Sequence, residues 1–209
     1  MIINILLIIT ICGGGVFMEN IKEDRRIRRT KKLLKQALAQ LMDEKDFKDI
    51  TVKDITERAD LNRGTFYLHY TDTYDILNKI EDEILKNIQN MIDQNIEKTN
   101  ASDSVIPALK PIAEYIMENA DICRCLINNK ASVDFIEKFQ NLIYDNCSDI
   151  IKRRHNVKDS KQNEFYLSFI TLGIIGMVKK WLETRPMVSA EEIVVFVDQI
   201  MTYSSAALK

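Results

Sequence analysis

Between Arg63 and Tyr70 the chain reads RGTFYLHY, and none of these eight residues is an acid. They comprise a guanidinium, a hydroxyl, three aromatic rings, an imidazole and a glycine, in a protein with only 8% aromatic residues. This is a set for recognition rather than for bond-breaking. Arg63 can fork onto the two acceptors of a guanine edge, and Thr65 can touch a thymine methyl or a phosphate. Tyr67 and His69 can donate to phosphate oxygens. Gly64, with no side chain, allows close backbone approach. The parts of an enzyme are missing. No P-loop, nucleophile elbow, Gly-rich dinucleotide loop or H-E-x-x-H occurs. The only histidines are His69 and His155, the latter beside Arg153 and Arg154.

Charge distribution points the same way. The formal net charge is −2, which by itself implies no polyanionic partner. Yet Lys22 to Lys35 holds eight Lys/Arg against Glu23 and Asp24, a local net of +6, whereas the chain after Asp75 has 16 basic and 19 acidic residues. A basic arm on a slightly acidic body suits an anionic partner at one end. Cys12, Cys123, Cys125 and Cys147 form no C-x-x-C, and no His stands at zinc-finger spacing. We therefore expect buried thiols, no metal and no cofactor.

The elements that position RGTFYLHY are helical. Ile27, Leu34, Leu38 and Leu41 form one apolar stripe on a first helix beginning near Lys22. Thr51 with Asp54 three residues on is a capping-box arrangement, followed by Val52, Ile55 and Ala59 on one face. Asp60-Leu61-Asn62 reads as a tight turn, with Asn62 capping a helix of about eight residues. Two short helices joined by such a turn are a helix-turn-helix. The second is too short to be stable alone, so neighbours must hold it while one face stays free. Leu61, Phe66 and Tyr70 have the spacing to do that. Asp72 and Asp75 open a long helix to about Thr99, and further helices follow at about Asp103–Met117, Asp121–Asn128, Ser132–Arg153, Ser160–Thr184 and Ser189–Ala207. No β-alternation or repeat occurs. The expected fold is all-α with about nine helices.

Residues 1–17, MIINILLIITICGGGVF, are uncharged, but their apolar run is only about a dozen residues. That is short for a membrane span, which needs about 20, and no basic residue precedes the run as a signal peptide requires. Gly13-Gly14-Gly15 is encoded by GGN codons, and Met18 follows at the distance of a bacterial start codon from its ribosome-binding site. The expectation is that Met18 initiates and residues 1–17 are a translated leader. The alternative is a short membrane anchor.

The segment TVKDITERADLNRGTFYLHYTDTYDIL resembles the DNA-binding domain of the TetR family of bacterial transcriptional regulators. The resemblance rests on the Thr51 start, Ile-Thr-x-x-Ala at Ile55–Ala59 and Gly-Thr-Phe-Tyr-x-x-Tyr at Gly64–Tyr70. It implies DNA-facing roles for Thr51, Arg63, Thr65, Tyr67 and His69. Asn62 and Gly64 border the same surface, and Arg28 or Arg29 can reach a neighbouring phosphate or the minor groove. Where the family often carries a phosphate-binding Lys at the start of the fourth helix, this chain has Thr73, which loses a charge-assisted contact. NADICRCLINNKASVDFIEKF and GIIGMVKKWLETRP resemble the C-terminal domains of TetR-like regulators of Firmicutes, including the dihydroxyacetone kinase operon activator group.

The resemblance implies a helix-turn-helix domain at residues 18–75 and an effector-binding and dimerisation domain at 76–209. It also implies a cytoplasmic homodimer on a near-palindromic operator, released or altered by a small-molecule effector. A repressor is the expected form, but the sequence does not separate repressor from activator, because the sign depends on where the operator lies relative to the promoter. The last two helices would pair with their mates. Candidates are Phe165, Phe169, Leu172, Ile175, Gly176 and Trp181, with Ile193, Phe196, Val197 and Ile200. Conceivable pocket residues are Tyr115, Met117, Cys123, Tyr144, Tyr166 and Phe169. An architectural DNA-binding protein with no small-molecule ligand is the alternative function.

Overall fold

The computed structural model describes residues 25–102, 104–128, 132–155, 161–184 and 187–204. The leader and the Met18 start lie outside them, as do Lys22–Asp24 of the basic arm. The described elements are α1 (Arg25–Glu44), α2 (Val52–Arg58), α3 (Arg63–Tyr67), α4 (Thr73–Ala101), α5 (Ile106–Glu118), α6 (Ala120–Asn128), α7 (Val133–His155), α8 (Lys161–Glu183) and α9 (Ala190–Ser204). A single 3-10 turn, Phe47–Asp49, links α1 to α2. Among the described residues the fold is all-α, as expected.

The head, α1 to α3, closes around its apolar stripes. Leu34 and Leu38 of α1 are fully buried, together with Ile55, Phe66, Ile76 and Leu77. Ile27 departs from the expected stripe. It is exposed, because the first turn of α1 runs beyond this core and its other residues are exposed too. Two ion pairs fasten α2 to the end of α1. Arg58 donates to both carboxylate oxygens of Glu44 at 2.8 and 2.7 Å, and Lys45 donates to Asp54 at 2.9 Å. The fork geometry is the stronger kind of charge-assisted pair.

α4 is 29 residues long, about 43 Å at the usual rise. Its buried stripe runs from Ile76 and Leu77 in the head to Ile88 and Ile92 in the second layer, where α5 and α7 pack against it. The head also meets α6. There Lys35 donates to Asn119 Oδ1 at 2.8 Å, Arg124 pairs with Asp43, and the Cys125 thiol lies 3.4 Å from the Ala39 carbonyl. Burial pushes the Lys35 ammonium below its ordinary value, while Glu83, 3.9 Å away, acts in the opposite sense. The head is therefore joined to the C-terminal layer by an apolar rod and a polar seam.

Candidate nucleic-acid interface

Three local devices hold the reading segment. First, the capping box forms at α2. The Asp54 N–H donates to Thr51 Oγ1 at 3.2 Å, while the Thr51 N–H and hydroxyl donate to Asp54 Oδ2 at 2.8 and 2.7 Å. The Lys45 ammonium, then the Thr51 hydroxyl and N–H, hold the Asp54 carboxyl well below its usual range. Second, the turn between α2 and α3 is made by Asp60 at φ 52°, the left-handed region. Asp tolerates it better than most side chains because it is short and polar. Third, Asn62 caps α3 by accepting from the Gly64 N–H at 2.8 Å. Phe66 then anchors the helix with no exposed surface, its ring 5.5 Å from those of Tyr67 and Tyr70.

The far end of α3 is tied to α4. Lys79 donates to the His69 carbonyl at 3.1 Å and to Asp75 at 3.0 Å, and sits 5.4 Å over the Tyr70 ring. Asp72 caps α4 by accepting from the Asp75 N–H at 2.8 Å, and Thr73 is the first residue of that helix. α3 has five residues rather than the expected eight or so, since Leu68 already closes it as C-cap.

The predicted DNA-facing residues divide in two. Arg63, Gly64 and Tyr67 are exposed, with Tyr67 at 57%, and Thr65, His69 and Thr73 are partly so. Arg28 and Arg29 are exposed on the first turn of α1. Thr51 and Asn62 are also at the surface, but their side-chain oxygens are engaged in caps, so they act first by orienting the helices. A Cβ built at Gly64 meets only Asn62 Oδ1, at 3.5 Å. The fold itself does not require glycine there. Sequence reasoning missed Leu68, 79% exposed between Tyr67 and His69. Its signal was available: two positions beyond Phe66 on a helix points roughly to the opposite side.

Residues 34–80 match the family model for bacterial regulatory proteins of the tetR family, and residues 103–203 match TetR_C_8, a transcriptional regulator C-terminal region. The chain belongs to the TetR family of transcriptional regulators. Over 69 residues it is 39% identical to the uncharacterized HTH-type transcriptional regulator YxbF of Bacillus subtilis (strain 168), an overlap of 31% of this chain and 18% of that one. The match thus spans under a fifth of the relative's length. Among solved structures, the dihydroxyacetone kinase operon activator DhaS shares the TetR fold at 18% identity and TM-score 0.58, covering 86% of this chain and 98% of its own. A TetR regulator from Streptococcus agalactiae 2603V is 21% identical at TM-score 0.55, covering 86% and 97%. Another TetR-family protein, from Syntrophomonas wolfei, is 18% identical at TM-score 0.60, covering 87% and 97%. TetR regulators are DNA-binding transcription factors, not enzymes.

In the C-terminal layer the residues sort differently from expectation. Phe165, Phe169, Leu172 and Phe196 are exposed, and a Cβ at Gly173 or Gly176 would meet nothing within 4 Å. Ile175, Ile193 and Ile200 are half-buried beside them. Trp181 and Val197 instead belong to the protomer's own interior. Trp181 is 3% exposed, with Nε1 donating to the Val188 carbonyl at 2.9 Å, because its position on α8 faces inward. None of the six expected pocket residues lines the apolar cavity walled by Ile88, Ile112, Ile143, Asn146 and Trp181, whereas Phe169 lines a second apolar pocket of this layer, with Gly173, Ile174 and Ile200. The Tyr115 hydroxyl accepts from Asn87, Tyr166 bonds to Ser204, Tyr144 borders a surface cleft, Met117 and Cys123 pack into the core, and Phe169 faces outward. An aliphatic cavity wall carries the same residue types as solid core, so its position was not legible from the sequence.

Proposed function

We propose that this TetR regulator is a cytoplasmic homodimeric repressor that binds a near-palindromic operator and is released by a small-molecule effector. The observation that carries the reading is the capped, Phe66-pinned α3 with Arg63, Gly64, Tyr67 and Leu68 open on one side. In this reading α3 enters the major groove with its N-terminal residues at base edges, and Arg28 and Arg29 supply sequence-independent attraction. Residues 18–75 form the reading head and 76–209 the effector and dimer domain.

A single head binds weakly, so a two-fold partner is part of the proposal. α8 is apolar enough by length and composition to cross a membrane, yet only 28% of its most apolar stretch is buried. Its open side carries Phe165, Phe169 and Leu172, and α9 adds Phe196. Contiguous exposed apolar surface of this kind marks an interaction site. α8 and α9 of two copies would form a four-helix bundle there. Effector binding then favours one spacing of the two heads and shifts the population by that difference, with α4 as the lever.

The test is fluorescence anisotropy of the protein on DNA upstream of its own gene and on a scrambled duplex, at two salt concentrations. Preference for the first duplex that survives the higher salt supports a sequence-specific regulator. Equal binding to both, lost steeply with salt, supports the architectural alternative. A promoter–reporter fusion that brightens when the gene is deleted supports repression; one that dims reverses the sign.

A further inference from the structure

The cavity in the C-terminal layer lies where α4, α5, α7, α8 and α9 meet, and its volume is about 120 Å³. One water occupies about 30 Å³ of liquid, so the space exceeds an ordinary packing flaw. No charged residue lines it. Ile88 and Ile92 of α4, Ile143 and Cys147 of α7, and Trp181 of α8 are typical of its wall. Burial pushes the Cys147 thiol up to about 12, so the wall carries no thiolate either. Asn146 is the one amide in the wall, and its Nδ2 is spent on Gln89 Oε1 at 3.1 Å and the Leu142 carbonyl at 2.8 Å. Only its Oδ1 remains to offer a ligand, as an acceptor.

We propose that this cavity takes a small, uncharged, hydrocarbon-bodied effector of about one aromatic ring, carrying at most one hydrogen-bond donor. The size follows from comparison with engineered apolar cavities of about 150 Å³, which stay dry and bind benzene. Water gains little in a space with one acceptor, since a buried water typically makes about three hydrogen bonds. A ring restores the dispersion contacts that the empty wall lacks. A carboxylate or ammonium would lie unpaired, which excludes fatty acids and amines as whole guests. Leu109, Ile112 and Ile174 of the wall are only half-buried, which gives the guest a short route from solvent.

The inference rests on the regulatory reading for what occupancy does, but the ligand class can be tested apart from it. Trp181 is the only tryptophan, so its fluorescence reports on this wall alone. Bromobenzene, whose heavy atom quenches an adjacent indole, should quench it saturably. 4-Bromobenzoate, the same ring with a charge, should bind about tenfold or more weakly, because its carboxylate has no partner inside. Ala113→Leu fills the wall and should abolish saturable quenching with helicity unchanged. Should that variant not fold, Ile112→Ala, at a half-buried wall position, should enlarge the space and bind bromonaphthalene more tightly than the parent does. Quenching that is linear in concentration, equal for the two bromobenzene probes, or indifferent to both substitutions overturns the proposal. Operator anisotropy in the same samples separates the two readings. Saturable quenching by bromobenzene with operator affinity unmoved supports the ligand class and sinks the effector role. Operator release by the charged probe alone overturns the ligand class and leaves the regulator.

Discussion

On α3 Tyr67 and Leu68 project from five residues capped by Asn62 and pinned by Phe66, whereas on α8 Phe165, Phe169 and Leu172 project from a helix of 23. Both surfaces are open, but in the proposed reading they serve different partners. The first places a few dissimilar groups at fixed positions, so recognition there depends on direction. The second offers one kind of surface over several turns, so association there depends on area. A lost base-edge contact on α3 should therefore change which DNA is bound, and a lost phosphate contact there should weaken binding to all DNA, while α8 should respond only to a change in the character of the whole face.

The largest expected effect tests the α8 side. Phe169→Glu combined with Leu172→Glu puts two charges where a mate would bury them. We expect a monomer by sedimentation velocity, and operator affinity lower by about 10²–10⁴, the gain that linking two heads supplies. Thermal stability of the protomer should change little, since both positions are exposed. A variant that stays dimeric would move the interface elsewhere.

Next in size is Tyr67→Ala on the α3 side. Operator affinity should fall by about 1–3 kcal/mol, with the dimer and its unfolding midpoint retained. Leu68→Ala should cost less, and chiefly on sites with thymine methyls opposite it. Equal losses on operator and scrambled DNA for Leu68→Ala would show that it contributes no sequence readout.

The two surfaces also differ in how far the sequence revealed them. In the head, chemistry and position coincide. Thr51 and Asp54, Asn62 and Asp72 with Asp75 are polar residues whose spacing has few uses other than capping, and all of these caps form. Phe66 and Tyr70 are recognisable as anchors, and Leu68, two positions beyond Phe66, is legible as outward-facing from helical spacing even though its residue type suggests core. In the C-terminal layer nearly every helical position of interest is Ile, Leu, Val or Phe. Periodicity there says that a residue is apolar, not whether it faces α4, a cavity or another molecule. That is why Trp181 and Val197, expected on the face toward a mate, are buried in the protomer, while Phe169, a candidate for both pocket and mate, is exposed and also edges a small apolar pocket.

A smaller effect sharpens the view that caps organise the head. Thr51→Ala removes the capping-box hydroxyl and should cost about 1 kcal/mol of stability at neutral pH. The sign with pH follows from Asp54. Its carboxyl lies below its ordinary 3.8 in the folded protein, through Lys45 and then Thr51. Its contribution is therefore complete above the ordinary carboxylate range and is lost as pH falls through the folded value. Asp54→Asn should flatten the acid limb of a stability–pH curve measured by urea unfolding, and an unchanged limb would deny Asp54 that role. The position is partly solvated, so the effect is modest.

The smallest effect lies in the turn. Asp60 holds φ 52°, where a non-glycine residue costs about 1–2 kcal/mol against glycine's greater loss of chain freedom, about 0.5–1 kcal/mol. Asp60→Gly should thus stabilise the head by up to about 1 kcal/mol. It also removes an acid exposed one residue from Leu61 and two from the Asn62 cap. In the proposed complex that acid faces a polyanion. Asp60→Asn separates the two consequences, because Asn tolerates the same backbone and carries no charge. If Asn raises DNA affinity without stabilising the fold, while Gly does both, the turn's geometry and its charge act independently. If neither changes affinity, the turn lies outside the phosphate field, and α3 must meet DNA chiefly through the end bearing Tyr67 and Leu68.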